Sequence, residues 1–335
     1  MYKAIQFIGT QRSGSNLLRV MLDQFPEVFG PHPPHVLITF YPLLKYYGNL
    51  EDTTNFKKLI EDICRLIEVN PVPWDGSPLN REKIFKRCRR RTLLEVFIQI
   101  NEFECEESGK TIWCCKSMES LYLLDKFREE GFEPLYLYLY RDGRDVALSF
   151  KKAIVGEKHI YNLAVKWKAD QDTCLRELEK IDAGRYVKVK YEDYIGDSDI
   201  FIKEICNRVG IKYQNVANDF YKSEESKRTA AGGKMWENVT KPVMKNNYGK
   251  FLKELSAEEI LIFEQVAGDT LVELGYQLHV IKPGETRVFT PEEIASFNAE
   301  NDRLKKQIVH QLPPEDILKR KLQSDIIAEI KHYAH

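Results

Sequence analysis

Residues 4–25 read AIQFIGTQRSGSNLLRVMLDQF, and the order of residue types in this stretch decides the fold. Ala4–Ile8 is a short, mostly apolar run that ends at Gly9, the pattern of a buried strand. Ser15–Phe25 then carries Leu17, Leu18, Met21 and Leu22 at helical spacing, with Ser15 where an N-cap is expected. The reading is strand, glycine turn, helix. Gly9 and Gly14 free the backbone N–H groups of residues 9–16 to face an anion at the positive end of the helix dipole, and phosphate is the natural guest. Gly-rich turns are also common as plain turns, so the loop alone leaves the ligand open. A kinase-type loop ends in Gly-Lys-Ser/Thr. This one ends Gly14-Ser15-Asn16 and places its cation earlier, at Arg12.

Working outward, Thr111–Cys115, Pro134–Tyr140 and Tyr186–Lys190 are three more runs rich in β-branched or aromatic residues. Helical periodicity follows at roughly 54–68, 80–103, 118–130, 144–155, 160–181, 199–209 and 256–274, the last after the Ser256-Ala-Glu-Glu259 start signal. Strands alternating with helices predict an α/β fold with a central parallel sheet flanked by helices, and ligands at the carboxyl ends of its strands. Periodicity fails over residues 223–248, where Gly232-Gly233 and several lysines predict a mobile loop. Residues 291–335 are more polar and predict two charged helices divided by Pro313-Pro314. A domain over 1–280 and a charged helical extension over 281–335 are therefore expected. Ile294, Phe297, Leu304 and Ile308 share one face with Asn301 between them, but this is too short for a coiled coil. A helix packing back on its own domain is expected, and a homodimer through these helices is the oligomer the pattern allows.

Composition narrows the function classes. With 43% hydrophobic residues the 335-residue chain can bury a large core, and 30% charged residues argue against lipid-embedded stretches. Lysine plus arginine number 50 against 51 acidic residues, so nothing drives the chain toward nucleic acid or an anionic membrane, and any anion site is local. The seven cysteines are scattered without a CxxC pair, which disfavours a disulfide framework and structural zinc. The opening MYKAIQFIG lacks the features of a signal peptide. The longest apolar run, Val36–Leu44, falls far short of a spanning helix. A reducing cytoplasm is the expected location, without stable membrane insertion.

A second anion element follows the third strand, in Tyr140-Arg-Asp-Gly-Arg-Asp-Val-Ala-Leu-Ser149. An arginine leaving the strand and a hydroxyl on the next helix can converge on one phosphate, Arg141 supplying a planar fork of donors and Ser149 the hydroxyl. With the first loop, these residues resemble the sulfotransferases that use 3′-phosphoadenosine 5′-phosphosulfate. Gly9-Thr-Gln-Arg-Ser-Gly-Ser-Asn-Leu-Leu18 is similar to their 5′-phosphosulfate loop, closest to the tyrosylprotein and carbohydrate-type branch. Arg141 and Ser149 resemble their 3′-phosphate signature. The likeness covers about residues 4–278 and implies a P-loop-like sulfotransferase fold, with adenosine 3′,5′-bisphosphate as product and no metal.

The resemblance implies donor contacts from Arg12, Ser13, Gly14, Ser15 and Asn16, from Arg141 and Ser149, and from Tyr191 in Val189-Lys-Tyr-Glu-Asp193. Ser226, Lys227 and Lys241 resemble the segment that closes over the donor's phosphates, and Trp236 offers a face for adenine. Lys116, at the end of the second strand, resembles the lysine that stabilises the leaving oxygen. The acceptor-activating base falls in Gly30-Pro-His-Pro-Pro-His35, where the branch carries a carboxylate and this chain carries His32 and His35. An imidazole can take and release a hydroxyl proton near neutrality, and would set an acid limb near pH 6.5. His32 is the expected base, with His35, Glu27 and Asp23 as substitutes. The implied activity is sulfuryl transfer by in-line displacement to a steroid or lipid-like alcohol, a phenol or a glycan; the aromatic run 37–47 offers a surface for such acceptors, although burial as ordinary core is the commoner outcome for such a stripe. A nucleotide-dependent P-loop kinase, or an inactive nucleotide-binding module acting through its helical tail, are the alternatives.

Overall fold

The computed structural model describes residues 3–74, 78–310 and 314–333; Pro313, expected to divide the tail helices, lies outside the described residues. Five parallel strands form one sheet in the order β2-β3-β1-β4-β5, with β1 Ala4–Ile8, β2 Val28–Phe29, β3 Ile112–Cys115, β4 Leu135–Tyr140 and β5 Tyr186–Lys190. β1 lies in the centre, pairing Gln6 with Cys115 on one side and with Tyr136 on the other. The strand order reverses there, so the loop leaving β1 opens onto the crevice where parallel sheets bind ligands.

Both faces of the sheet are buried, as a parallel sheet requires. Leu135, Leu137 and Leu139 of β4 enter one apolar cluster with Leu18, Met21 and Leu22 of the Ser15–Leu22 helix. Tyr136 and Tyr138 enter the other, with Ile60, Ile63 and Ile67 of the Thr53–Glu68 helix. A third cluster joins the Gly143–Lys152, Ile160–Leu178 and Ala257–Glu273 helices around Trp167 and Phe263. Of the two outcomes open to the run 37–47, the fold takes the core for much of it: Leu37, Phe40, Leu43 and Tyr47 are buried.

Several boundaries differ from the sequence pattern. The two-residue β2 follows Pro26 and is too short for any period to announce it. Gly14, not Ser15, is the N-cap of the Ser15–Leu22 helix, because its φ of 89° needs a glycine. The 80–103 segment divides into Arg81–Arg87 and Leu93–Glu107; Cys88 turns extended and Thr92 caps the second helix by accepting from the Glu95 N–H. The 223–248 segment is no simple loop: Ser223 caps a Glu224–Ala231 helix, and a 3-10 segment runs from 234 to 240. That helix is seated by a long-range contact that no local pattern shows, the buried Arg19 paired with Glu225 and donating to Thr229 Oγ1 at 2.6 Å.

The extension packs against the domain. Pro291–His310 lies on the Ile160–Leu178 helix, where buried Asn301 accepts from the backbone N–H groups of Lys158 and His159 at 2.7 and 3.0 Å. Pro314–Ile330 lies on Thr53–Glu68: Ile326 and Ile330 are buried, and Tyr333 and Tyr47 both donate to Asp62 Oδ2, at 2.7 and 2.9 Å. All seven cysteines are free, six of them buried. Among the described residues no helix is long and apolar enough to cross a membrane.

Candidate functional site

The loop after β1 is shaped by two close approaches. A Cβ on Gly9 would lie 2.3 Å from the Leu139 carbonyl oxygen, and one on Gly14 would lie 2.5 Å from the Tyr191 ring, so only glycine fits at either position. Arg12 takes a left-handed φ of 71°, strain of the kind that collects at functional sites. Its guanidinium Nε donates to Ser149 Oγ at 3.0 Å. Arg141 reaches the same place from the end of β4, donating to the Arg12 carbonyl at 3.4 Å and the Asn247 carbonyl at 2.8 Å. Its guanidinium lies 4.4 Å from the centroid of the Tyr191 ring, and the Tyr191 hydroxyl accepts from Asn247 Nδ2 at 2.7 Å.

A cleft of about 820 Å³ opens over this assembly. Arg12, Gly14, Ser15, Asn16, His32, His35, Lys116, Arg141, Ser149, Tyr191, Trp236 and Lys241 all line it, so residues from six separate segments meet. Ser13 is buried beneath, its hydroxyl without a partner among the described residues. Ser226 does not reach the cleft; its hydroxyl donates to the Phe220 carbonyl at 2.7 Å, which removes it from the expected donor contacts. Lys227 is exposed and paired with Glu224 on its own helix. Trp236 packs edge-on against His32, with ring centroids 4.7 Å apart, so it anchors its segment over the histidine.

The electrostatics are one-sided. Burial, with the charges of Arg19 and Arg12, pushes Lys116 down from the ordinary 10.5 to about 7. Burial and Arg141 lower Arg12. Burial, then Lys116 and Arg19, hold His32 well below the usual imidazole range. Asp145 stands 3.6 Å from Arg141, but its oxygens also accept from the Gly249 and Phe251 N–H groups. Cations that depress one another across a buried cleft mark a place that gains from an anion. Orphaned polar atoms agree with this: Arg141 Nε, Asn16 Oδ1 and both ring nitrogens of His32 are buried without partners among the described residues. The residues therefore fit a nucleotide with phosphate at both ends.

The segment bearing His32 is pinned along its length. Asp23 accepts from the Gly30 N–H at 2.9 Å, Arg19 donates to the Gly30 carbonyl at 2.6 Å, and Trp74 donates to the His32 carbonyl at 2.8 Å. His35 Nδ1 and Ser117 Oγ are 3.3 Å apart, and burial drives this imidazole to about 3. Of the substitutes for the base, Asp23 is committed to Gly30 and Lys110, and Glu27 does not line the cleft. Sequence reasoning missed Asp145 and Asn247, which position Arg141 and Tyr191, as well as Asn70, Lys152, Lys250, Arg320 and Gln323 of the cleft wall. The i,i+4 spacing of Arg141 and Asp145 was a usable signal. Arg320 carried none, since the helix face it shares shows only in the folded chain.

A parallel α/β sheet with a glycine-bounded, cation-lined loop at its switch point defines a P-loop-like class of α/β protein. A family model described as the sulfotransferase family matches residues 5–215, well over half of the 335. The chain belongs to that family. Among solved structures, the sulfotransferase domain of the Synechococcus PCC 7002 olefin synthase shares the fold, with a TM-score of 0.51 at 20% identity over 79% of this chain and 94% of that one. The sulfotransferase domain from the curacin biosynthetic pathway gives 0.48 at 18% identity, over 89% and 98% of the two chains. A Mycobacterium avium sulfotransferase gives 0.42 at 10% identity, over 83% and 78%. No curated protein sequence matches the chain.

Proposed function

We propose that this sulfotransferase uses 3′-phosphoadenosine 5′-phosphosulfate as donor and moves its sulfuryl group to an acceptor hydroxyl. The observation that carries this reading is the convergence of Arg12, Lys116, Arg141, Ser149 and Tyr191 on one cleft, where Arg12 and Lys116 have no carboxylate partner among the described residues. Gly14, Ser15 and Asn16 would hold the phosphosulfate end at the start of the Ser15–Leu22 helix. Arg141 and Ser149 would hold the 3′-phosphate, Tyr191 would lie beside the nucleotide, and Lys241 would close the far wall.

His32 suits the role of base. Burial and neighbouring cations favour its neutral form, the form that accepts a proton, and neither ring nitrogen is otherwise engaged. In the transfer, the acceptor oxygen bonds to sulfur as the bond from sulfur to the 5′-phosphate oxygen breaks. The hydroxyl proton passes to His32, and Lys116 balances the charge that collects on the leaving oxygen. The depressed imidazole moves the acid limb well below the pH 6.5 expected from sequence. The decisive experiment supplies the sulfated nucleotide with a panel of alcohols, phenols, glycans and hydroxy acids and reads transfer by mass spectrometry. Sulfated product supports the reading. No product, together with no binding of adenosine 3′,5′-bisphosphate, would overturn it.

A further inference from the structure

The cleft continues past His32 to a second end whose wall is built by segments outside the phosphate loops. Asn70 and Pro71 follow the Thr53–Glu68 helix, and Arg320 and Gln323 come from Pro314–Ile330, beyond the residues matched by the family model. The last helix is held firmly here. Gln323 Nε2 donates to the Leu66 carbonyl at 3.2 Å, Arg65 pairs with Glu329 at 2.7 Å, and Ile326 and Ile330 are buried below.

Two donors at this end have nothing to bind. Arg320 is half-buried, and among the described residues its guanidinium has neither an ion pair nor a hydrogen bond. Asn70 is 7% exposed; its side-chain Oδ1 accepts from the Val72 N–H at 3.3 Å, while its Nδ2 is buried with no partner among the described residues. The carboxylate lining this end, Glu237, is largely exposed and turns to Lys241 at 4.0 Å. Arg320 is also close enough to His32 for its charge to help keep that ring neutral. A guanidinium fork and an amide N–H, both donors only, match the oxygens of a carboxylate or phosphate.

We propose that the acceptor is an anionic alcohol or phenol, whose carboxylate or phosphate is held by Arg320 and Asn70 while its hydroxyl faces His32. The C-terminal helix is then the element that selects the acceptor. This inference rests on the sulfotransferase reading of the cleft, and its test separates the two.

The full chain is titrated with matched probes, read by tryptophan fluorescence, with and without saturating adenosine 3′,5′-bisphosphate. The pairs are 4-hydroxyphenylacetate against its methyl ester, and 4-hydroxybenzyl phosphate against 4-hydroxybenzyl alcohol. The anionic member of at least one pair should bind ~10-fold or more tightly than its neutral partner, as a charge-assisted hydrogen bond implies; which pair responds distinguishes carboxylate from phosphate. Arg320→Gln should abolish that preference, and Arg320→Lys, which keeps the charge without the fork, should leave an intermediate one. Lys321→Gln, on an exposed residue of the same helix, should match wild type. Equal binding of both members of both pairs, or no binding of any, overturns the inference, as does a preference that survives Arg320→Gln. If Arg320→Gln does not fold, Arg320→Lys decides in its place, an undiminished preference overturning the assignment. Failure to bind the nucleotide would instead overturn the sulfotransferase reading.

Discussion

Lys116 should take up a proton when nucleotide binds. In the empty cleft it is depressed from the ordinary 10.5 to about 7 by burial and by Arg19 and Arg12. Each pKa unit is worth about 1.4 kcal/mol, so the folded protein spends a few kcal/mol holding this ammonium charged. Phosphate oxygens in the cleft leave the burial in place but supply the opposite charge that offsets it and the two arginines, and so return the lysine toward its usual value. At pH 8 a group titrating near 7 is ~10% charged, so binding should draw in ~0.9 proton, and ~0.1 at pH 6. Phosphate itself is already deprotonated at pH 8 and contributes none. The same linkage makes affinity fall by up to ~10-fold per pH unit above 7. Calorimetry with adenosine 3′,5′-bisphosphate in Tris and HEPES, which differ in ionisation enthalpy, reads the proton count directly. Lys116→Met should abolish the uptake and flatten the pH dependence. The sign for folding is separate: the unfolded chain binds more protons between about 7 and 10.5, so wild-type stability rises with pH across that window, and Lys116→Met should be the more stable protein at neutral pH. Uptake below ~0.2 proton at pH 8, or uptake unchanged in Lys116→Met, would refute this account of the cleft.

Three further outcomes follow from the same geometry. Arg141→Ala should weaken nucleotide binding by ~1.5–3 kcal/mol, the worth of a charged hydrogen bond, measured by calorimetry beside a melting curve that confirms folding. His32→Ala should lower kcat by ~10²–10⁴-fold while nucleotide affinity changes little; the wild-type acid limb in kcat/KM should lie well below pH 6.5, and a limb at 6.5 would contradict the burial of this ring. Ile330→Ala should cost ~2–5 kcal/mol in denaturant unfolding, because Ile330, the end residue of the last helix, is fully buried in the cluster it shares with Thr53–Glu68; a surface-like loss below ~0.5 kcal/mol would mean that helix does not dock in solution.

What the sequence determined by itself was whatever depends on neighbours along the chain. The run from Ala4 to Leu22 reads as strand, glycine turn and helix because side-chain period and glycine placement are local properties. The same holds for the capping box of Ser256 and Glu259, and for Arg141 and Ser149 flanking the start of one helix. The tertiary structure decided what depends on residues far apart. Arg19 looked like an ordinary helix residue, yet it seats the Glu224–Ala231 helix across more than 200 positions, so periodicity could not show that segment as packed. Only the fold sets Ser117 Oγ 3.3 Å from His35 Nδ1 while leaving both His32 ring nitrogens without a partner among the described residues, the contrast on which the proposal of His32 as base rests. Ser226, set among the phosphate contacts by the family resemblance, turns inward, where its hydroxyl donates to the Phe220 carbonyl. Arg320 joined the cleft only because Ile326 and Ile330 bury the last helix against Thr53–Glu68. Burial free energy depends on which surfaces meet, and that is fixed by the whole fold rather than by any window of sequence.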